Sequence, residues 1–211
     1  MIPLHPFYII RHGQTEANLN RIMAGSLDSP LTSKGRDQAR DARLIVEQLE
    51  VKPTAIIHSQ LSRARETAAI INENLKLDMH EDPDLAEMHA GDWEGVPYDQ
   101  CAAMLDDWLD PPGGETYDEF FARIRRAKAR ALQKKPSPVL VVCHGGVMRA
   151  LWKMYGISMP GVRNCHLHEF SPSPEQQDFP WKTYAHDYDH EIHTRPLRQQ
   201  IIYKGDEKID W

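Results

Sequence analysis

Two histidines and an arginine stand where chemistry is easiest to build. The apolar run Phe7-Tyr8-Ile9-Ile10 is followed at once by Arg11-His12-Gly13-Gln14, and the run Val139-Leu140-Val141-Val142-Cys143 by His144-Gly145-Gly146. Short aromatic and β-branched runs predict buried strands, so both histidines fall at strand carboxyl ends, the edge where open α/β sheets bind ligands. A neutral imidazole offers a lone pair near pH 7, which suits a nucleophile or a proton carrier. The Arg11 guanidinium is a fixed fork for phosphate or carboxylate oxygens. Either histidine alone reads as a polar strand end without chemistry; two placed alike point to one pocket.

The elements that must position them are legible as alternating strands and helices. A third short strand, Ala55-Ile56-Ile57-His58, leads into a helix over 62–75 marked by Ala64, Ala68, Ile71 and Leu75. Arg63 then falls near that helix start, where backbone N–H groups also favour anions. Helical spacing of apolar residues predicts further helices over 33–49, 97–109, 116–134 and 147–155. The 97–109 helix is expected to turn Cys101, Ala102, Leu105 and Leu109 inward, and Thr116 to Glu119 has the capping-box pattern. Residues 19–32 have a loop composition able to fold over the strand end, 77–83 is an acidic connector with room for a short strand, and 166–170 and 181–185 read as later strands. The expected architecture is α/β, a three-layer sandwich with a mainly parallel central sheet flanked by helices. Residues 1–190 are expected to form one domain, with 191–211 a C-terminal extension that has room for partial order.

Composition narrows the function. With 211 residues, 41% of them hydrophobic, the chain can bury a good core. Its formal net charge of −6 argues against general nucleic-acid or anionic-membrane binding, so any anion site must be a local cluster of cations. No run approaches a membrane span and the first residues lack signal-peptide character, from which a cytoplasmic protein is expected. Cys101, Cys143 and Cys165 lack metal-ligand spacing and fit reduced thiols. His186 and His190, four apart in His186-Asp187-Tyr188-Asp189-His190-Glu191-Ile192-His193, invite a metal reading that ranks below a solvated polar tail.

The fuller string Arg11-His12-Gly13-Gln14-Thr15-Glu16-Ala17-Asn18, together with Ser59-Gln60-Leu61-Ser62-Arg63-Ala64-Arg65-Glu66-Thr67-Ala68 and the strand-end His144, resembles the signature of the histidine phosphatase superfamily, of phosphoglycerate-mutase-like fold. The spacing Leu85, Glu87, Gly91, Trp93-Glu94-Gly95 resembles the loop that carries the proton donor there. The resemblance covers roughly residues 7 to 170. It implies that His12 attacks phosphorus to form a phosphohistidine, that Arg11, Arg63 and His144 hold the phosphoryl oxygens, and that Glu87 gives a proton to the leaving oxygen and then activates water. Trp93 would pack beneath the Glu87 loop; Glu94 and His89 are neighbours able to compete for the acid role. Asn18, Gly25, Glu115 and Gly145 are the implied substrate contacts, Glu115 through its likeness to a Gly-Glu-Ser segment lining the pocket mouth. Ala24 stands where relatives often carry a polar side chain.

No metal or cofactor is required on this reading, since cations of the protein neutralise the phosphoryl charge. The implied activity is metal-independent hydrolysis of a small phosphorylated metabolite, of the histidine acid phosphatase type, by a monomer or homodimer. Small bacterial-type members include α-ribazole phosphatases, sugar phosphatases and broad-specificity phosphomonoesterases, while others act on phosphoproteins. Two alternatives stand beside it: phosphoglycerate-mutase-type transfer, whose members carry a long insertion between the glutamate loop and the second histidine, and a silent module that binds a phospho-ligand. A metal-dependent hydrolase using the late histidines is a more distant one.

Overall fold

A computed structural model describes residues 4–133, 138–157, 161–176, 179–187 and 197–201. Strands β1 (Phe7–Arg11), β2 (Ala55–His58), β3 (Asp78–Glu81) and β4 (Val139–Cys143) pair in parallel, and β5 (Leu167–Pro172), β6 (Trp181–Asp187) and β7 (Leu197–Ile201) continue the sheet antiparallel. The order across the seven strands is β3-β2-β4-β1-β5-β6-β7. Because successive strand residues face opposite sides, the two central strands feed two cores. Phe7, Ile9, Val139 and Val141 face one, and Tyr8, Ile10, Leu140 and Val142 the other.

Helices cover both faces. α2 (Ser33–Gln48) and α3 (Ser62–Ile71) close one core with Ala39, Ala42, Ile45, Val46, Ala64, Ala68 and Ile71. α5 (Tyr117–Gln133) and α6 (Gly145–Lys153) close the other with Phe120, Ile124, Ala127, Val147, Met148 and Leu151. The small α1 (Glu16–Leu19) is capped by Thr15, α2 by Thr32, and α5 by the reciprocal Thr116–Glu119 pair, as the capping pattern implies. This is the expected three-layer α/β sandwich.

One segment differs from the sequence expectation. Residues 97–109 do not form one helix: a 3-10 turn at Tyr98–Gln100 is followed by the five-residue α4 (Ala102–Asp106). Trp108 adopts a left-handed φ of 57°, which no helix can continue through, and Leu109 is left 51% exposed instead of inward. In the expected extension, β7 hydrogen-bonds to β6 as an edge strand. Lys134, His190 and His193 lie outside the described residues.

One close approach fixes the loop after β1 against α2. A Cβ at Gly35 would lie 2.1 Å from the Gln14 carbonyl oxygen, and one at Gly13 would lie 2.3 Å from the Gly35 carbonyl oxygen. Both obstacles are backbone, so neither can swing aside. Gly35→Ala is therefore expected to cost about 1–3 kcal/mol of stability and to lower kcat/KM by displacing His12; thermal unfolding and steady-state kinetics check both, and an unchanged midpoint contradicts the contact.

Candidate active site

The carboxyl ends of β1, β4 and β2 are locked in register, and the residues immediately after each strand build the site. The His12 N–H donates to the Cys143 carbonyl at 3.0 Å, and the Ser59 N–H to the Val142 carbonyl at 3.1 Å. These bonds bring the His12 and His144 rings to 5.1 Å between centroids. His12 lines a cavity of about 470 Å³ together with Arg11, Asn18, Gly25, Arg63, Glu87, Gly145 and Asn164, and His144 lies buried beside His12.

The tautomers follow from the partners. His12 Nδ1 lies 2.7 Å from the Gly13 carbonyl oxygen, which can only accept, so Nδ1 carries the proton and Nε2 keeps its lone pair. Arg63 Nε donates to His144 Nδ1 at 3.3 Å, and since a guanidinium only donates, the His144 proton sits on Nε2, 2.8 Å from Ser59 Oγ. Burial, reinforced by Arg11 and Arg63, holds the His12 pKa well below its ordinary 6.5; burial and then Arg63, His12 and Arg11 do the same for His144. Both rings are neutral at neutral pH.

The positive side has capacity to spare. Arg63 is 2% exposed and spends three of its five N–H groups on His144 Nδ1 and on the carbonyls of Leu27 and Gly25, both at 2.7 Å. Arg11 donates from Nη1 to the Val162 carbonyl at 2.8 Å, while its buried Nε has no partner. A buried guanidinium N–H without an acceptor, beside a cavity, is the mark of an anion site.

Glu87 enters from the opposite wall. Its carboxylate accepts from the Met88 N–H at 3.1 Å and from the Gly146 N–H, in the first turn of α6, at 2.9 Å. A Cβ at Gly146 would fall 2.3 Å from Glu87 Oε1, so the second glycine after His144 makes room for the acid. The loop is held from behind by Arg123. All five N–H groups of that guanidinium are used: Nη1 bonds the carbonyls of Asp84 and Ala86, Nη2 the carbonyl of Glu87, and Nε and Nη2 grip Glu115 at 2.6 and 2.8 Å.

The family model of the histidine phosphatase superfamily, branch 1, matches residues 7–175. The chain belongs to that superfamily. It is 34% identical over 161 residues to a glucosyl-3-phosphoglycerate phosphatase of Mycobacterium tuberculosis, covering 68% of this chain and 71% of the relative. It is 36% identical over 160 residues to phosphoglycerate mutase-like protein 4 of Arabidopsis thaliana, covering 69% and 68%. The crystal structure of an alpha-ribazole phosphatase from Shigella flexneri superposes with a TM-score of 0.69 at 27% identity, covering 82% of this chain and 92% of that one. The superfamily's phosphatase members support phosphomonoester hydrolysis as the activity of this chain.

The structure brings together most of the residues that the superfamily signature singles out. Arg11, His12, Asn18, Gly25, Arg63, Glu87 and Gly145 line one cavity, and His144 lies buried beside His12. Glu115 is the exception: its carboxylate is turned to Arg123 and does not line the cavity. Trp93 is buried with Ala90, Cys101 and Leu105 behind the Glu87 loop. Glu94 holds the Ser26 and Ala90 N–H groups and His89 is exposed, and neither lines the cavity as Glu87 does. His186 bonds Glu169 at 2.8 Å.

Three contributors carry no sequence signal of their own. Asn164 donates to the His12 carbonyl at 2.9 Å and to Asn18 Oδ1 at 3.2 Å, which leaves the Asn18 amide N–H₂ to face other acceptors. Ser59 is visible in the sequence only as part of a motif, and Arg123 only as one more charge on a helix.

Two outcomes follow from this geometry. Arg123→Met should lower kcat/KM for alkyl phosphates on the order of 10–100-fold, and much less for an aryl phosphate whose leaving group needs no proton; equal losses on both would mean that Arg123 is merely structural. The depressed histidines also tie stability to pH. His12, His144 and His168, the last held at about 3, resist protonation when folded, His166 is lowered as well, and all four bind protons near 6.5 once unfolded. The unfolded state therefore binds more protons below that pH, and stability should fall as pH drops from 6.5 toward 3. Denaturant midpoints across that range check the sign.

Proposed function

We propose that the chain hydrolyses small phosphomonoesters in the cytoplasm through a phosphohistidine on His12 Nε2, without a metal. The observation that carries this reading is the neutral His12 with its lone pair on Nε2, set in one cavity with two guanidinium groups and a carboxyl group. Phosphoryl transfer needs a nucleophile, donors for the equatorial oxygens and a proton for the departing alkoxide. His12 supplies the first. Arg11, through its unpartnered Nε and its remaining N–H groups, and Arg63, through its two spare N–H groups, supply the second, with the Asn18 amide beside them. A phosphoryl oxygen competes with Ser59 for the His144 Nε2 proton.

Glu87 supplies the third part. In its acid form it protonates the leaving oxygen, and as carboxylate it takes a proton from the water that attacks the phosphohistidine, so one group serves both half-reactions. The charge of the phosphoryl group is met by arginine, which is why the reading calls for no metal ion. Among the described residues no cluster of His, Cys, Asp and Glu is arranged to hold one.

Phosphate release from a panel of phosphomonoesters, with EDTA present, tests the reading. Turnover should persist in EDTA and drop by at least about three orders of magnitude in His12→Ala. Loss of activity to the chelator would sink the metal-free mechanism, and transfer between phosphoglycerates outpacing phosphate release would favour the mutase reading. A pure binding module would keep its ligand and show no turnover in either protein.

A further inference from the structure

Beyond the phosphate end, the same cavity has a wall of a different character. Trp108, Tyr98, Tyr117, Leu105 and Met23 line it, with Arg149 at their side. Trp108 meets the Tyr117 ring edge-on at 4.9 Å between centroids, and the Arg149 guanidinium lies 5.2 Å from the Trp108 ring centre. Trp108 takes its left-handed φ of 57° as the residue that closes the C-terminus of α4, where the Leu109 N–H donates to the Met104 carbonyl at 3.0 Å. That backbone twist is what ends the chain's run past α4 and leaves the indole at the cavity.

The charges on this wall are already answered. Four arginines line the cavity: Arg11 and Arg63 belong to the phosphate end, Arg21 is paired with Asp99, and Arg149 with Asp106 at 2.9 Å. A second anionic group on a substrate would meet two arginines whose charge is already shared with an aspartate. The polar atoms that remain are two phenols. Burial raises the pKa of Tyr98 and pushes that of Tyr117 up to about 12, so both hydroxyls stay neutral, and neither has a hydrogen-bond partner among the described residues.

We propose that Trp108, Tyr98, Tyr117, Leu105 and Met23 form a leaving-group subsite for an uncharged aromatic or heteroaromatic body, so that the preferred substrates are monophosphates of ring-bearing alcohols and not phosphorylated acids. The inference rests on the phosphomonoesterase reading above. It gives the wall a physical role, in which flat rings stack or meet edge-on with Trp108 and Tyr117 and the phenols hydrogen-bond ring substituents.

Three primary alkyl esters of matched connectivity test it: ethyl phosphate, 2-phenylethyl phosphate and phosphoglycolate, the last carrying a carboxylate. For the wild-type protein, kcat/KM for 2-phenylethyl phosphate should exceed that for ethyl phosphate by about tenfold or more, mainly through KM, and phosphoglycolate should not exceed ethyl phosphate. Trp108→Ala should bring the phenylethyl-to-ethyl ratio toward one, and Trp108→Phe should keep most of it. A preference for phosphoglycolate, a wild-type ratio near one, or a ratio that survives Trp108→Ala overturns the subsite. If none of the esters is turned over, the hydrolysis reading fails separately. Calorimetric dissociation constants for the same three esters then decide the subsite, tenfold tighter binding of the phenylethyl ester supporting it and equal binding refuting it.

Discussion

Arg63 is a buried cation, and much of the site is the answer to that fact. An uncompensated charge in a protein interior costs several kcal/mol, and the Arg63 guanidinium avoids this by ordering two separate stretches of chain around itself with three hydrogen bonds. It pulls the carbonyls of Gly25 and Leu27 inward, which folds the 19–32 loop over the sheet edge. It binds Nδ1 of His144, which sets that histidine's tautomer. With Arg11 it reinforces the burial that lowers the proton affinity of His12 and keeps that imidazole neutral. Placement of one helix-start arginine thus links β2, β4 and the loop after β1 into one electrostatic unit.

The rest of the fold supplies rigidity where this unit needs it. Both histidines follow strands whose side chains are buried on both faces, so their backbone positions are set by the central sheet rather than by a mobile loop. Glu87 arrives on a less regular segment and is stiffened by other means. Arg123 uses every donor, clamping the carbonyls of Asp84, Ala86 and Glu87 to α5, and Glu115 balances its charge. Glycines appear where side chains would collide: Gly146 under Glu87, and Gly13 against Gly35. The two histidines, Glu87 and the Arg63 guanidinium are therefore each fixed by backbone contacts of different origin.

Much of this could be read from sequence because it is local. Apolar runs of three to five residues shortly before Arg11, Ser59 and His144 identify buried strands, and ligand chemistry at their carboxyl ends follows from the α/β arrangement. The features that escaped depend on distant partners. Glu115 resembles a pocket-mouth residue, yet its orientation is decided by Arg123, eight positions later, and nothing in the local string shows that pairing. Asn164 is a lone amide before a strand, and its role appears only when β5 lies antiparallel to β1. The apolar spacing over 97–109 does look helical, but the chain makes a 3-10 turn at Tyr98–Gln100 and only five residues of α4 before the left-handed Trp108 closes it and brings an indole to the cavity. The strand at 197–201 has polar Arg198, Gln199 and Gln200 at its centre, as an exposed edge allows, so its pattern resembles a tail.

The central claim is that the phosphoryl group passes through Nε2 of His12, the nitrogen left unprotonated by the Nδ1 bond to the Gly13 carbonyl. Rapid chemical quenching during turnover, followed by peptide mapping and phosphorus NMR of the trapped protein, tests it directly. The account predicts an acid-labile phosphoryl group on His12 with the shift of the Nε2 isomer. Phosphate on Nδ1, on another residue, or on no residue while the substrate is being consumed would contradict it.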